Sequence, residues 1–488
     1  MILKKLFKDI GCKEIIGGNL GRKVDFASSD SRILFSNSVF LARKGCNFNP
    51  LDSFSDFEDK VNCFVAENAD REKVLGLSYK YPGKVFVLVE DLKKTGERLS
   101  RSLFKGLDSF KIIGITGTNG KTTVSALVSH ILNYCGIPSG LTGTVNYKWG
   151  GASFRSFMTT PDNFLFKSLL YKMYKDGMKY AVSEISSHSL IQGRLSGLKL
   201  ERAVFTNLSH DHLDYHKTFK NYFNAKYKIF NLLKPKGIGV ISTDGRYGLD
   251  MYNRVHLKKI SFGMKNNPDY KITAYRFERN KSEMLIRFRD RKYFIRSNLI
   301  GRFNLYNILA AFSLCRSLNI SSQRIIEAIG CFKRPSGRME EVVKSVFIDY
   351  AHTPAALKEA LLSLRNVGYK KIILVFGCGG DRDKKKRPVM GRIASKYADY
   401  SIITSDNSRG EDPLKICRDV DRGMRGTNYS IVIDRKKAIE KALKSARPGT
   451  AVLIAGKGHE NYQVLKDKTI PFSDRKVVRN CCLLQQFH

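Results

Sequence analysis

Lys121 and Thr122 stand directly after a tight turn, Gly117-Thr118-Asn119-Gly120, which itself follows the apolar run of Ile112, Ile113 and Ile115. A strand, a glycine-rich turn and Lys-Thr at the head of a helix together make a phosphate cradle. Glycines let backbone N–H groups approach phosphate oxygens, and the helix N-terminus adds positive potential. Lys121 suits the β- and γ-phosphates, and the Thr122 hydroxyl suits a Mg²⁺ ion. The spacing is a variant: Ile115 occupies the place of the usual first glycine, with Gly114 and Gly117 to either side. An ordinary glycine-rich turn explains the glycines but not Lys121-Thr122-Thr123, so a nucleotide site is the reading adopted.

In open α/β sheets, ligands bind beyond the carboxyl ends of the strands. The polar residues after each apolar run are therefore the next candidates. Glu184 ends YAVSE, followed by Ser186, Ser187 and His188. A carboxylate there does the metal-binding work of a Walker B acid; its place inside a β-type run favours this over a polar loop flank. The segment SHDHLDYH supplies His210, Asp211, His212, Asp214 and His216. Three histidines so close suggest zinc, but there is no second ligand cluster and no H-E-x-x-H. Catalytic or Mg²⁺-associated residues are the better reading. Lys226, in NYFNAKYKIF, reads by itself as a surface lysine. Asn304 and Asn307 share one face of a helix start. They suit a purine edge, although N-capping explains Asn304 equally well.

Arg338 and Glu340 in SGRME, and Asp349 to His352 after VFID, open a further region. An arginine supplied by one domain to phosphates held by another is a recurrent device in phosphoryl transfer. Three later loops, GCGGDRDKKKRP, SDNSRGEDP and AGKGHENYQ, supply Arg382, Asn407, Arg409, His459 and Glu460. Both charge signs are present, which suits a zwitterion: arginine for carboxylates, glutamate for an ammonium.

The chain has 488 residues and is 42% hydrophobic, ample for packed cores. Periodicity predicts an α/β protein of three domains. Residues 1–108 form a small N-terminal α/β domain with one clear helix, LKKTGERLSRSLF. Residues 109–335 form a central P-loop domain with a doubly wound parallel sheet and a more β-like insert. Residues 336–488 form a C-terminal Rossmann-like domain. Lysines interrupt every apolar run of MILKKLFKDIGCKEII, so a signal peptide and membrane insertion are not expected and a cytoplasmic location is. Ten cysteines without a C-x-x-C pair read as free thiols. Lys and Arg total 85 against 45 acids, a formal charge of +40. Spread along the chain, this reads as a solvated surface; it also favours polyanionic substrates, and nucleic acid is the minor alternative. The run RDKKKR (Arg382 to Arg387) is the longest basic cluster.

The motifs ITGTNGKTT, EISSH, TNLSHDHLDYH, GRFNLYN, GRME, DYAHTP, FGCGGDRDKKKRP and GKGHE occur in this order. The chain resembles the Mur ligases of peptidoglycan synthesis, from about residue 28 to the C-terminus, and within them the branch that adds the third residue of the peptide. The resemblance implies an ATP-dependent amide ligase acting with Mg²⁺ on a UDP-N-acetylmuramoyl-dipeptide and a diamino acid, as a monomer. It implies ATP binding by Gly117, Thr118, Asn119, Gly120, Lys121, Thr122, Thr123, Asn304, Asn307, Arg338 and Asp349. It implies metal binding by Thr122, Glu184, His212 and a carbamylated Lys226, with Lys121, His212, Lys226 and Arg338 catalytic. The UDP-sugar-peptide falls to Ser31, Asn47, Thr159, Thr160, Ser186, Gln192 and Arg194. The incoming amino acid falls to Arg382, Asp406, Asn407, Ser408, Arg409, Gly456 and Glu460. Family members that take meso-diaminopimelate usually show Asp-Asn-Pro-Arg, where this chain has Asp406-Asn407-Ser408-Arg409. Arg409 favours diaminopimelate, and lysine and ornithine stay open. Folylpolyglutamate synthase and a nucleic-acid-associated P-loop NTPase are the alternatives.

Overall fold

The computed structural model describes residues 2–45, 48–466 and 468–485. The chain divides into two compact units: Met1–Ile112 with Ile137–Ser183 and His188–Lys199, and Ile113–Gly136 with Glu184–Ser187 and Leu200–His488. Both are α/β.

In the first unit, near-continuous apolar runs such as VFVLV form strands buried on both faces. Five strands lie in the order Glu14–Ile16, Val85–Val89, Val61–Glu67, Ser38–Leu41, Phe26–Ser28; the first pair is antiparallel and the rest are parallel. Phe40, Phe54, Phe57, Phe64 and Phe86 pack one face, Phe54 meeting Phe64 edge-on with ring centroids 4.9 Å apart. The N-terminal segment is a helix, Leu3–Ile10, which the sequence reading did not foresee. Its lysines interrupt the apolar runs, yet Leu3, Leu6, Phe7 and Ile10 recur at helical spacing and are all buried. A second unforeseen helix is Arg71–Lys80. Also in this unit, residues 180–183 of strand Tyr180–Glu184 run parallel to Ser139–Thr142, which leads into an antiparallel ribbon, Asn146–Trp149 with Ala152–Arg155.

In the second unit, residues 113–116 of strand Lys111–Thr116 pair in parallel with Leu200–Phe205, which pairs with Leu233–Ser242 and so on to Lys259–Gly263. The β-like insert forms three antiparallel strands, Tyr270–Glu278, Lys281–Phe288 and Arg291–Ser297. Helix Arg302–Ser317 packs on helix Lys121–Tyr134. A six-stranded sheet follows in the order Glu340–Val343, Val346–Asp349, Thr450–Ala455, Lys371–Phe376, Tyr400–Ile403, Tyr429–Ile431, parallel apart from the first pair. Helices Pro354–Asn366, Lys386–Tyr397 and Pro413–Asp421 cover one face, and Arg435–Ser445 and Asp474–Gln485 cover the other. This is the doubly wound arrangement expected, and it brings the loops at 377–388, 405–413 and 456–463 to one edge.

One expectation fails here. The basic run is not simply a solvated face: Arg387 is fully buried and Lys386 nearly so. Arg387 donates to both Glu411 oxygens (2.8 and 2.9 Å), to Asp419 at 2.9 Å and to the Gly379 carbonyl at 3.2 Å. Those partners lie 24 and 32 residues away in sequence, and a short window cannot contain them. The nine described cysteines are free thiols.

Candidate active site

The turn after strand Lys111–Thr116 needs its glycines. Gly117 has φ +151° and Gly120 φ +90°. A Cβ on Gly117 would run into the Thr206 hydroxyl, and one on Gly120 into the Asn307 side-chain oxygen. The turn is pinned from the neighbouring strand end: Thr118 N–H donates to Asn207 O (2.9 Å) and Asn119 N–H to Asn207 Oδ1 (3.0 Å). The Thr206 hydroxyl donates to Asn119 O at 2.6 Å. Two of the predicted phosphate-binding amides are thus spent within the protein. The first-turn amides of helix Lys121–Tyr134, which have no intrahelical acceptor, are the donors left for phosphate. Lys121 folds back on the turn, donating to Gly117 O and Thr118 O, both at 2.9 Å.

Thr122 is the meeting point. Its hydroxyl donates to Glu184 Oε2 at 2.9 Å and accepts from Arg338 Nη2 at 2.9 Å. Arg338 also lies over the Tyr350 ring, 4.8 Å from its centroid, while its buried Nε has no partner. A hydroxyl and a carboxylate this close are hard oxygen donors, of which Mg²⁺ takes one or two alongside phosphate oxygens and water. The pair fits that ion.

Lys226 is buried, so its reading as a surface lysine fails. It sits on helix Phe219–Tyr227, capped by the Thr218 side chain. Its Nζ donates to Gly117 O at 2.7 Å and lies 4.6 Å from the Tyr222 centroid. Two amines, Lys121 and Lys226, therefore share one carbonyl. Burial, and then the Lys121 charge, push the Lys226 amine well below its ordinary pKa. Burial also lowers Lys121.

The three histidines take three different partners. His210 bonds to Asp383 (2.7 Å), His212 lies 3.2 Å from Asp211, and His216 bonds to Ser187 (2.9 Å). Among the described residues no three metal-ligating His, Cys, Asp or Glu side chains gather. Asp211 is buried with His212, His352 and Lys386 around it. Burial alone would raise its pKa, but those charges and Lys121 outweigh it and hold it far below the carboxylate range. Asn304 is not a cap: helix Arg302–Ser317 begins after Gly301, and the Asn304 amide donates back to Ile300 O at 2.7 Å. Asn307 donates to Asn304 Oδ1 at 2.9 Å and lies against Gly120. Asp349 accepts from Met339 N–H at 2.6 Å, which fixes the backbone beside Arg338.

The third cluster lies at the strand ends of the six-stranded sheet. Asn407 donates to Glu460 Oε2 (2.8 Å), and Lys457 donates to both Asn407 Oδ1 (3.1 Å) and Glu460 Oε2 (3.0 Å). Asn407 Oδ1 also accepts from Val464 N–H at 2.9 Å. A Cβ on Gly456 would sit 2.6 Å from Asp406 Oδ2, so Gly456 is required for the two loops to touch. Arg409, with φ +51°, donates to Gly380 O at 2.8 Å. Burial, and then Arg382, lower its pKa, so a bound anion relieves it. Ser408 is buried in the same loop. Lys457 was missed: inside GKGHE it carried no signal beyond the motif. Lys386 and Tyr350 were missed likewise, being recognisable only once Asp211 and Arg338 are seen against them.

In the first unit, Arg194 donates to Thr160 O at 2.6 Å and to Gln192 Oε1 at 2.6 and 2.9 Å. Thr159 and Thr144 share a hydroxyl contact at 3.1 Å. Thr159, Thr160, Gln192 and Arg194 thus form one group. Ser31 lies elsewhere in that unit, beside the Asp30–Arg32 pair, and Ser186 belongs to the second unit. Asn47, like Cys46, lies outside the described residues.

This arrangement has known counterparts. Residues 115–315 match the Mur ligase middle domain, and residues 337–458 match the Mur ligase glutamate ligase domain. The chain is 36% identical to the UDP-N-acetylmuramoyl-L-alanyl-D-glutamate–2,6-diaminopimelate ligase 1 of Clostridium acetobutylicum, over 98% of each chain. It is 39% identical to the corresponding ligase of Aquifex aeolicus, over 94% of this chain and 93% of that one. A solved structure of such a ligase aligns over 100% of this chain and 99% of the other, with 28% identity and a TM-score of 0.58. With a relative this similar over its whole length, and the family's two domains placed on the phosphate loop and the Asn407 cluster, the chain belongs to the Mur ligase family of ATP-dependent ligases.

Proposed function

We propose that the chain joins meso-diaminopimelate to UDP-N-acetylmuramoyl-L-alanyl-D-glutamate at the expense of ATP, in peptidoglycan synthesis. A carboxylate does not condense with an amine unaided, because oxide is too poor a leaving group. Phosphoryl transfer from ATP makes an acyl phosphate and ADP; the amine then attacks, and phosphate leaves from the tetrahedral intermediate. Two anions must approach in the first step, so catalysis is chiefly positioning and charge neutralisation.

Lys121, Arg338 and the first-turn amides take the ATP phosphates. Asn304, Asn307 and Asp349 flank the nucleotide, Asp349 by fixing the backbone at Met339 beside Arg338. Mg²⁺, held by Thr122 and Glu184, would neutralise phosphate charge, with His212 and Lys226 serving a second ion. For Lys226 that role needs its sign reversed. Burial depresses this amine and so favours its neutral, nucleophilic form; attack on CO₂ with loss of one proton gives a carbamate anion in place of an ammonium. On this reading residues 1–108 receive the uridine end, 109–335 the ATP and 336–488 the amino acid. Thr159, Thr160, Ser186, Gln192 and Arg194 contact the sugar-peptide. We place the protein in the cytoplasm as a monomer, on its likeness to the ligases of peptidoglycan precursor synthesis. Among the described residues no helix is long and apolar enough to cross a membrane.

The choice of diaminopimelate rests on Arg409. It is held by Gly380 O in the loop that carries Asn407, and it offers a second carboxylate a bidentate partner that lysine and ornithine cannot use. The test incubates the protein with Mg-ATP, UDP-N-acetylmuramoyl-L-Ala-D-Glu and diaminopimelate, lysine or ornithine in separate reactions. Product mass identifies the amino acid. Product with lysine alone would overturn the diaminopimelate assignment, and no product in any reaction would overturn the ligase reading.

A further inference from the structure

We infer that Arg435 is a positioning residue for the amino-acid site and that, with Asp474, it sets that site's selectivity; this rests on reading the 406–409 and 456–460 loops as that site. Arg435 opens helix Arg435–Ser445, and Asp474 opens helix Asp474–Gln485, both on the sheet face away from helix Pro354–Asn366. Neither belongs to any motif that suggested chemistry. Their side chains are wholly withdrawn from solvent. The Arg435 guanidinium grips the Asp474 carboxylate with two bonds of 2.8 Å, from Nε and from Nη2.

The remaining capacity of the guanidinium is what matters. Nη1 donates to Ser405 O at 3.3 Å and Nη2 to Ala455 O at 3.1 Å. Ser405 and Ala455 are the residues immediately before Asp406 and Gly456. One planar group thus ties together the ends of two strand-to-loop turns. Those turns already touch, since a Cβ on Gly456 would sit 2.6 Å from Asp406 Oδ2. The Asn407–Glu460 bond spans the same two loops. The Arg435 charge, together with Lys457, also keeps the buried Asp406 ionised against the cost of its burial.

Stability does not explain the pair. Replacing a buried ion pair by apolar side chains of similar volume is often neutral or favourable, whereas removing one partner is strongly destabilising. The planar fork is what lysine cannot reproduce. Its value lies in registering two loops that must present Arg409 and Glu460 to opposite ends of one substrate.

The experiment is steady-state kinetics on the full-length wild type, the Arg435→Met/Asp474→Leu double variant and Arg435→Lys. KM for diaminopimelate is expected to rise about tenfold or more in the double variant, because a displacement of about 1 Å is costly in a preorganised site. KM for ATP and for the UDP-dipeptide is expected to stay within about twofold, since those contacts are not uniformly weakened. The preference for diaminopimelate over lysine is expected to narrow, with Arg435→Lys intermediate. A double variant with wild-type melting temperature, unchanged KM for diaminopimelate and unchanged preference overturns the inference. So does a loss spread equally over all three substrates. If the double variant does not fold, Arg435→Lys decides by the same split. A wild-type protein inactive with every diamino acid sinks the ligase reading itself, and this inference with it.

Discussion

The phosphate end and the amino-acid end of the second unit treat buried charge in opposite ways. At the phosphate end Lys121 and Lys226 converge on a single carbonyl, Gly117 O, and Arg338 meets Thr122 with its Nε unpartnered. Basic groups are gathered there around Glu184 and Asp211, the carboxylates that act on Lys121, and a polyanion completes the site. At the amino-acid end the most deeply buried cations already have a carboxylate: Lys457 with Glu460, Arg435 with Asp474, Arg387 with Glu411 and Asp419; Arg409, bonded to Gly380 O, is the one kept for the substrate. The first arrangement suits a ligand whose charge exceeds anything the protein could bury alone. The second suits a zwitterion, whose ends must be distinguished rather than merely attracted. Selectivity then comes from geometry held fixed beforehand, and rate from basic groups gathered for a polyanion.

The sharpest way to break that contrast is at Lys226. If its importance lies in becoming an anion, Lys226→Ala lowers kcat by about 10²–10³-fold, the scale of losing one preorganised electrostatic group. A short-chain carboxylate such as propionate then restores part of the rate. Full activity without rescue would mean that the gathered amines serve structure alone. Arg338→Lys tests the same end next. Lysine keeps the charge but loses the planar fork that meets Thr122 while lying over Tyr350. A kcat about 10–100-fold lower is expected from an arginine that neutralises a transferring phosphoryl group, measured as ADP release. An unchanged kcat would place Arg338 outside the reaction.

At the other end, Arg409→Ala is expected to act through binding. KM for diaminopimelate rises about tenfold or more when a charge-assisted bidentate partner is removed, while use of lysine is unchanged. Equal losses for the two amino acids would contradict the idea that this end discriminates by paired, fixed charges.

The two ends also differ in how readily the sequence discloses them. The phosphate turn is local: glycines, Lys121 and Thr122 sit within a few residues, and their spacing carries the chemistry. The strands were legible for the same reason, since a run such as VFVLV states its own burial. Lys226 was not legible. It lies 109 residues from the carbonyl it meets, and a lysine on a helix looks solvated until the fold buries it. Arg387 misled in the same way, appearing as part of a solvated basic run. Helix Leu3–Ile10 was hidden by attention to continuous apolar runs, although its 3–4 spacing was present. Asn304 was misjudged as a possible cap because the boundary fell two residues earlier, at Arg302, an error within ordinary helix-end uncertainty. Arg435 and Asp474 had no signal at all, being 39 residues apart and meaningful only through the loop ends they bind.

The smallest expected effect concerns stability, and Asp349 is where buried charge at the phosphate end carries a thermodynamic cost. Burial raises its pKa from 3.8 to about 6, although Arg338 and the backbone amides of Met339 and Ala351 oppose the rise. The folded protein therefore binds a proton that the unfolded chain has lost. This contribution is fully present below pH 3.8 and is lost as pH rises through 6. Across that window stability falls by up to about 1.4 kcal/mol per pH unit from this group. Asp349→Asn keeps an acceptor for Met339 N–H and removes the titration. Relative to wild type, its unfolding free energy is expected to climb between pH 4 and 6 and then stay level, about 3 kcal/mol above wild type at pH 8, as read from urea melts at pH 4, 5, 6 and 8. Parallel pH profiles for the two proteins would show that Asp349 is not strained by burial. A stabilised variant that is also slower would show why a carboxylate stands there: it gives up stability to hold the backbone beside Arg338.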